Sequence, residues 1–233
     1  MDSPIVVPES SVQVENGLLY TGMHKGGIFD APENELRVGL TSKTEFQGFS
    51  PNYNLLWSDG QNYSRVSNLT ELGFKHQLGP ICANSKKLPG YLKNYNLSVI
   101  VGVSPPTGSP AVSATGTGTG GAVRLPWGKS VGKNWAICGM QSLLLVNSGH
   151  ALQYQPDLLL CRNIGARAGL FVEYGGFFTH HSDAPSNIMH FGGIKKLSRN
   201  TQIDTQFGFG LNRAAPIAFV GFGYSYRFDK LHW

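Results

Sequence analysis

The sequence predicts an all-β protein, a closed antiparallel transmembrane β-barrel of about twelve strands, on three observations: period-two hydrophobic alternation, alternating short and long connections, and sparse charge. Apolar residues make up an ordinary 41%, yet only 14% of residues are charged and 30 of the 233 are glycine. Soluble domains carry about 25% charge, so polarity here comes instead from Gly, Ser, Thr and Asn. That mix suits thin strands with one small or polar face, because glycine is costly in a helix interior.

The alternation runs the length of the chain. In "ELRVGL" Leu36, Val38 and Leu40 share a face opposite Glu35, Arg37 and Gly39. "LSVIVGV" sets Leu97, Val99, Val101 and Val103 against Ser98, Ile100 and Gly102. "GLFVEYG" and "QIDTQFGFG" repeat the pattern, with Glu173, Asp204 and Gln206 on the polar side. At the chain's end "FVGFGYSYRF" places Val220, Phe222, Tyr224, Tyr226 and Phe228 on one face, and Gly221, Gly223, Ser225 and Arg227 on the other. Period two over five or more residues marks a strand with two unlike faces. The strands are expected near 11–20, 35–40, 45–50, 69–77, 96–104, 122–128, 135–145, 158–162, 169–177, 188–196, 202–210 and 217–228.

Short polar turns, "TSKT", "SVGKN", "NIGAR" and "LSRN", alternate with longer connections such as "TGMHKGGIFDAPEN", "SPNYNLLWSDGQNYSRVSN" and "VNSGHALQYQPD". One connection, "LGPICANSKKLPGYLKNYN", is longer than its place in the alternation predicts. An even strand count with this asymmetry puts tight turns and both termini at one end of a barrel and long loops at the other. A large soluble sandwich shares the periodicity but not the asymmetry. In lipid the outward face must be apolar and the sheet must close, since an open edge would leave backbone groups unpaired. Residues 1–10 then form an N-terminal periplasmic segment, 11–228 the barrel and 229–233 a C-terminal tail.

Several segments resemble the outer-membrane β-barrel family named for the MetA pathway of phenol degradation. They are "VPESSVQVENGLLYT", "FDAPENELRVGLTSKTEFQ", "LSVIVGVSPPTGS", "LPWGKSVGKNWAICGM", "LFVEYGGFF", "MHFGGIKKLSRNTQIDTQFGFGLNRAAP" and "FVGFGYSYRF". They follow the family's order over residues 7–228. The resemblance implies an outer-membrane transporter with no enzymatic activity and no cofactor, passing small hydrophobic or aromatic molecules passively. Its partners would be outer-membrane lipids, the barrel-assembly machinery and the cargo. Tyr224, Tyr226 and Phe228 would then supply both a membrane-facing aromatic belt and the assembly signal. The family pattern stops at the terminal Phe, whereas this chain continues "DKLHW", so Trp233 competes with Phe228 for that role. "MDSPIVVPES" lacks the basic start and apolar core of a secretory leader, and either a trimmed leader or a mis-started gene product is expected.

Charges of both signs fall on the inward faces: Glu15, Glu35, Arg37, Glu45, Glu71, Lys75, Arg124, Glu173, Asp204 and Arg227, with His190 as a further polar candidate. As pore-lining groups they would set selectivity through their field. As an internal ladder of ion pairs they would instead fill the lumen and hold the strands. A plugged structural or lipid-modifying barrel, or a soluble all-β binding protein, are the alternatives to a channel; the last would need no detergent to stay in solution.

Other motifs carry less. Adjacent residues of "THHSDAP" point to opposite sides of an extended chain, which argues against a metal site at His180, His181 and Asp183. "GTGTGG" and "WGKS" lack the strand–loop–helix setting of a phosphate loop and read as loop and turn. Net charge is +5, but the cations are scattered with no run longer than a pair, unlike a nucleic-acid interface. Cys82, Cys138 and Cys161 cannot all pair within the chain; they read as small apolar residues, with a single disulfide open to them in an oxidising compartment.

Overall fold

The computed structural model describes residues 1–50, 53–58, 61–66, 70–81, 93–106, 119–146, 151–180, 184–229 and 231. Every regular element among them is a strand: β1 Val12–Met23, β2 Gly26–Thr41, β3 Thr44–Phe49, β4 Tyr53–Ser58, β5 Gln61–Val66, β6 Glu71–Ile81 and β7 Tyr95–Ser104. The second half follows with β8 Gly120–Val131, β9 Trp135–Val146, β10 Ala151–Ile164, β11 Ala168–Thr179, β12 Ser186–Lys196, β13 Thr201–Gly210 and β14 Ala218–Phe228.

The strands form one antiparallel sheet in which β1 pairs with both β14 and β2, so it closes on itself. The ring runs β1-β14-β13-β12-β11-β10-β9-β8-β7-β6-β3-β2, twelve strands. The remaining two, β4 and β5, form a hairpin that continues the wall: β2 pairs through Glu35–Thr41 with β3 and through Gly26–Ala31 with β4. Part of the connection "SPNYNLLWSDGQNYSRVSN" is therefore wall and not loop.

The expected strands all occur in the expected order, and the tight turns at 42–43, 132–134, 165–167 and 197–200 lie where "TSKT", "SVGKN", "NIGAR" and "LSRN" place them. Gly132 (φ 76°) and Gly165 (φ 68°) adopt the left-handed conformation that two of these turns require. Three expectations are corrected. β2 begins at Gly26, not near 35, so "TGMHKGGIFDAPEN" holds the end of β1, a two-residue turn and the first half of β2. β10 begins at Ala151, not 158. "WGKS" lies within β8 and is no turn.

Prolines account for the two shortened strands. Ala31 and Pro32 stand together opposite Leu18, a bulge that flips which parity faces outward: Phe29 and Leu36 are both exposed although seven residues apart. Pro156 interrupts β10 in the same way for a reader of the sequence, since proline normally demotes a strand.

The outer wall is apolar. Val101, Leu158, Leu170, Phe207, Val220 and Phe222 are exposed, while their alternate neighbours Ile100, Glu173 and Ser225 are buried. A closed sheet with oil outside and polar groups within is a transmembrane barrel turned toward lipid. Tyr224 and Phe228 lie on this outer surface, and the Tyr226 and Phe228 rings meet edge to face at 4.6 Å.

Candidate functional site

The lumen is not an open tube. Residues 1–9, set apart in the sequence as a segment preceding the barrel, run inside it as a strap. Ser10 N–H donates to the Gly39 carbonyl at 2.9 Å, which anchors the strap's root to β2 near the tight-turn end. The chain then passes so close to the wall that a methyl at Gly39 would stand 2.0 Å from the Pro8 carbonyl oxygen. Val7 N–H donates to Glu45 Oε2 at 2.5 Å, and the Pro4 carbonyl accepts from the Ser98 hydroxyl on β7. Asp2 reaches Lys75 on β6 at 3.6 Å, and the Met1 ammonium stands 3.7 Å from Glu173 on β11. β2 and β11 are five steps apart around the twelve-strand ring, so the strap spans nearly the full width.

The strap rests on a knot of buried charge. Glu45 Oε1 accepts from Arg37 Nη2 at 2.7 Å, Arg37 Nε at 3.0 Å and Gln47 Nε2 at 3.0 Å, and lies 3.3 Å from Lys75 Nζ. Arg37 also reaches Glu15 at 3.2 Å and Glu35 at 3.9 Å. The Glu45 and Lys75 side chains are both 0% exposed. Ions so placed persist because each is paired and hydrogen-bonded, and these two face no open passage. Of the inward charges, Arg37, Glu45 and Lys75 thus form the internal ladder.

On the side of the knot away from the tight turns the wall encloses a cavity of about 430 Å³. Glu15, Glu35, Glu71, Arg124 and Asp204 from the expected set line it, joined by Glu33. Arg124 is clamped by both carboxylate oxygens of Glu71, with Nη2 to Oε2 at 2.8 Å. Glu33 and Asp204 have no cationic partner within 4.0 Å among the described residues. They reach toward each other over the paired glycines Gly17 and Gly223: a methyl at Gly17 would lie 2.9 Å from Glu33 Oε2, and one at Gly223 2.5 Å from Asp204 Oδ1. Sequence reasoning passed over Glu33 because Pro32 obscured which face it takes. The Gly17–Gly223 pair could have signalled the cavity, since facing glycines on the lumen side leave space.

The other expected residues sit apart. His190 Nε2 lies 3.1 Å from Glu173 Oε2, its Nδ1 lies 3.0 Å from Gln206 Oε1, and its ring packs between Phe171 and Phe219. Both ring nitrogens of His190 are thus engaged by side chains of the neighbouring strands β11 and β13. Arg227 pairs with Asp229 at 2.6 Å beside the tight turn at 197–200. Of the three "THHSDAP" residues weighed against a metal site, His181 and Asp183 lie outside the described residues, as do Cys82, Trp233 and residues 107–118.

No family model and no curated protein matches the sequence. The fold does have solved counterparts. It is similar to the COG4313 outer membrane channel from Pseudomonas putida F1, with a TM-score of 0.72 at 14% identity, covering 98% of this chain and 100% of that one. It is also similar to the KdgM porin, with a TM-score of 0.57, 8% identity and 94% and 99% coverage. The NanC porin aligns at a TM-score of 0.56, 9% identity and 92% and 98% coverage. These likenesses place the chain's fold among outer-membrane β-barrels, and these counterparts are channels and porins.

Proposed function

We propose that this protein is an outer-membrane channel through which small molecules, hydrophobic and aromatic ones included, pass by diffusion without enzymatic conversion. The observation that carries the reading is the cavity of about 430 Å³ enclosed by a barrel whose outer wall is apolar. A lumen of this build needs no bound cofactor and no energy source; its width and field choose among solutes. The fold likeness to channels and porins supports the reading, as does the sequence resemblance to a transporter family. Lipid on the outer wall, the assembly machinery at Phe228 and a small-molecule cargo are the partners this role entails.

The strap gives the plugged-barrel reading its one specific support, because residues 1–9 cross the lumen. Reconstitution separates the two. A channel gives discrete conductance steps in planar bilayers and swelling of liposomes in small aromatic or aliphatic solutes. Gly39→Ala, which drives a methyl into the Pro8 carbonyl without altering any charge, is expected to raise both signals. Silence in both assays, for the parent and for Gly39→Ala, would establish a plugged structural barrel instead.

A further inference from the structure

Cys138 on β9 and Cys161 on β10 lie on the lumen side of adjacent, directly paired strands. Register places Cys138 opposite Leu159 and Cys161 opposite Ala136, so the two are diagonal neighbours. Both are free and partly exposed. Cys138 sits next to the strap: a methyl at Gly128 would lie 2.9 Å from Cys138 Sγ and 3.3 Å from Pro4 Cγ. Neither takes part in the charge knot or the acid-lined cavity.

An exported barrel matures in an oxidising compartment, where disulfides form and persist. We infer that Cys138 and Cys161 are a redox-active pair that closes into a reversible disulfide across β9 and β10. Diagonal Cα atoms in an antiparallel pair stand roughly 7–8 Å apart, beyond the about 4.4–6.8 Å that a relaxed disulfide spans. Closing the bond therefore requires a local shift of the backbone and leaves it strained, and strained disulfides are the easily reduced ones. The oxidant is an external disulfide, either a disulfide-bonded oxidoreductase or oxidised glutathione. The thiolate of one cysteine attacks a sulfur of that disulfide, forming a mixed disulfide and releasing one thiol. The second cysteine, losing its proton, attacks the sulfur of the first and releases the other thiol. Two electrons and two protons leave the pair; the external disulfide departs as two thiols. This inference rests on export to that compartment and not on passage of any solute.

The test uses the full chain carrying Cys82→Ser, extracted from membranes without reductant, blocked with N-ethylmaleimide and mapped by peptide mass. A linked pair of peptides containing Cys138 and Cys161, lighter by two hydrogen atoms than their sum, is the expected result. Mild dithiothreitol should return both thiols to maleimide reactivity, and oxidised glutathione should restore the link. In the same background Cys138→Ser and Cys161→Ser should each lose the link and expose one reactive thiol. Quantitative maleimide labelling of both cysteines after exposure to oxidised glutathione would overturn the inference. So would a link that survives strong reductant in the folded barrel, which would mark a structural bond in place of a reversible one.

Discussion

Toward the tight turns the lumen is full: the strap, Arg37, Glu45, Lys75 and Gln47 occupy it, and every charge there has a partner. Further along the same strands β1 and β2, the wall encloses a cavity where Glu33 and Asp204 have none within ion-pair distance among the described residues. The wall obeys one rule in both halves, apolar outward and polar inward. What differs is whether a stretch of chain outside the alternation has been folded in to neutralise the inner face. A barrel's interior is thus a second structure, specified separately from its wall.

Removing the strap should abolish the contrast. Deletion of residues 1–9 takes away the groups that bridge β2, β3, β6, β7 and β11, and single-channel conductance is expected to rise several-fold. Conductance unchanged by the deletion would mean that the strap does not restrict the path. Breaking the knot beneath it tests the filled half from the wall side. Glu45→Ala leaves Arg37 and Lys75 buried without their shared carboxylate, and stability against urea in lipid vesicles should fall by about 3–5 kcal/mol. Glu15→Ala, whose side chain is 33% exposed at the knot's edge, should lose much less.

How far these features could be read in advance follows the same division. The wall was legible because lipid demands one face of every strand, so each of the twelve ring strands shows in its alternation. Legibility failed at Pro32 and Pro156, where a bulge and an in-strand proline hid the first halves of β2 and β10, and at the β4–β5 hairpin, whose pairing with β2 depends on that hidden half. The inward charges were found because they alternate with oil. Their division into a sealed knot and an open cavity was not, since Glu45 and Glu71 occupy equivalent positions in the pattern. The strap, "MDSPIVVPE", has no periodicity to read; only its contacts with Gly39, Glu45 and Lys75 reveal it.

Lipid contact on the outer wall can be probed independently of either half. Leu158, at the centre of β10 and 48% exposed, would as lysine cost about 2–4 kcal/mol of stability in vesicles, the penalty for a cation near the bilayer midplane. A lysine at Gln206, which lines the cavity among carboxylates, should cost less. Equal costs at the two positions would show that Leu158 does not meet hydrocarbon.

The smallest effect concerns the open half alone. Among the described residues Glu15, Glu33, Glu35, Glu71 and Asp204 line the cavity with the cation Arg124, and the Glu15, Glu35 and Glu71 carboxylates already face Arg37 or Arg124 within 4.0 Å. Any surplus field should therefore come chiefly from Glu33 and Asp204, over the glycine pair that leaves them room. A salt gradient across a planar bilayer reads this as a reversal potential of the sign that favours cations. Glu33→Gln with Asp204→Asn should move that potential toward zero while leaving stability nearly unchanged, because neither carboxylate forms an ion pair within 4.0 Å among the described residues. Glu71→Gln, by contrast, should weaken the clamp on Arg124 and lower stability with it. A potential that moves with Glu71→Gln but not with the double variant would shift the source of the field from the glycine floor to the Arg124 clamp.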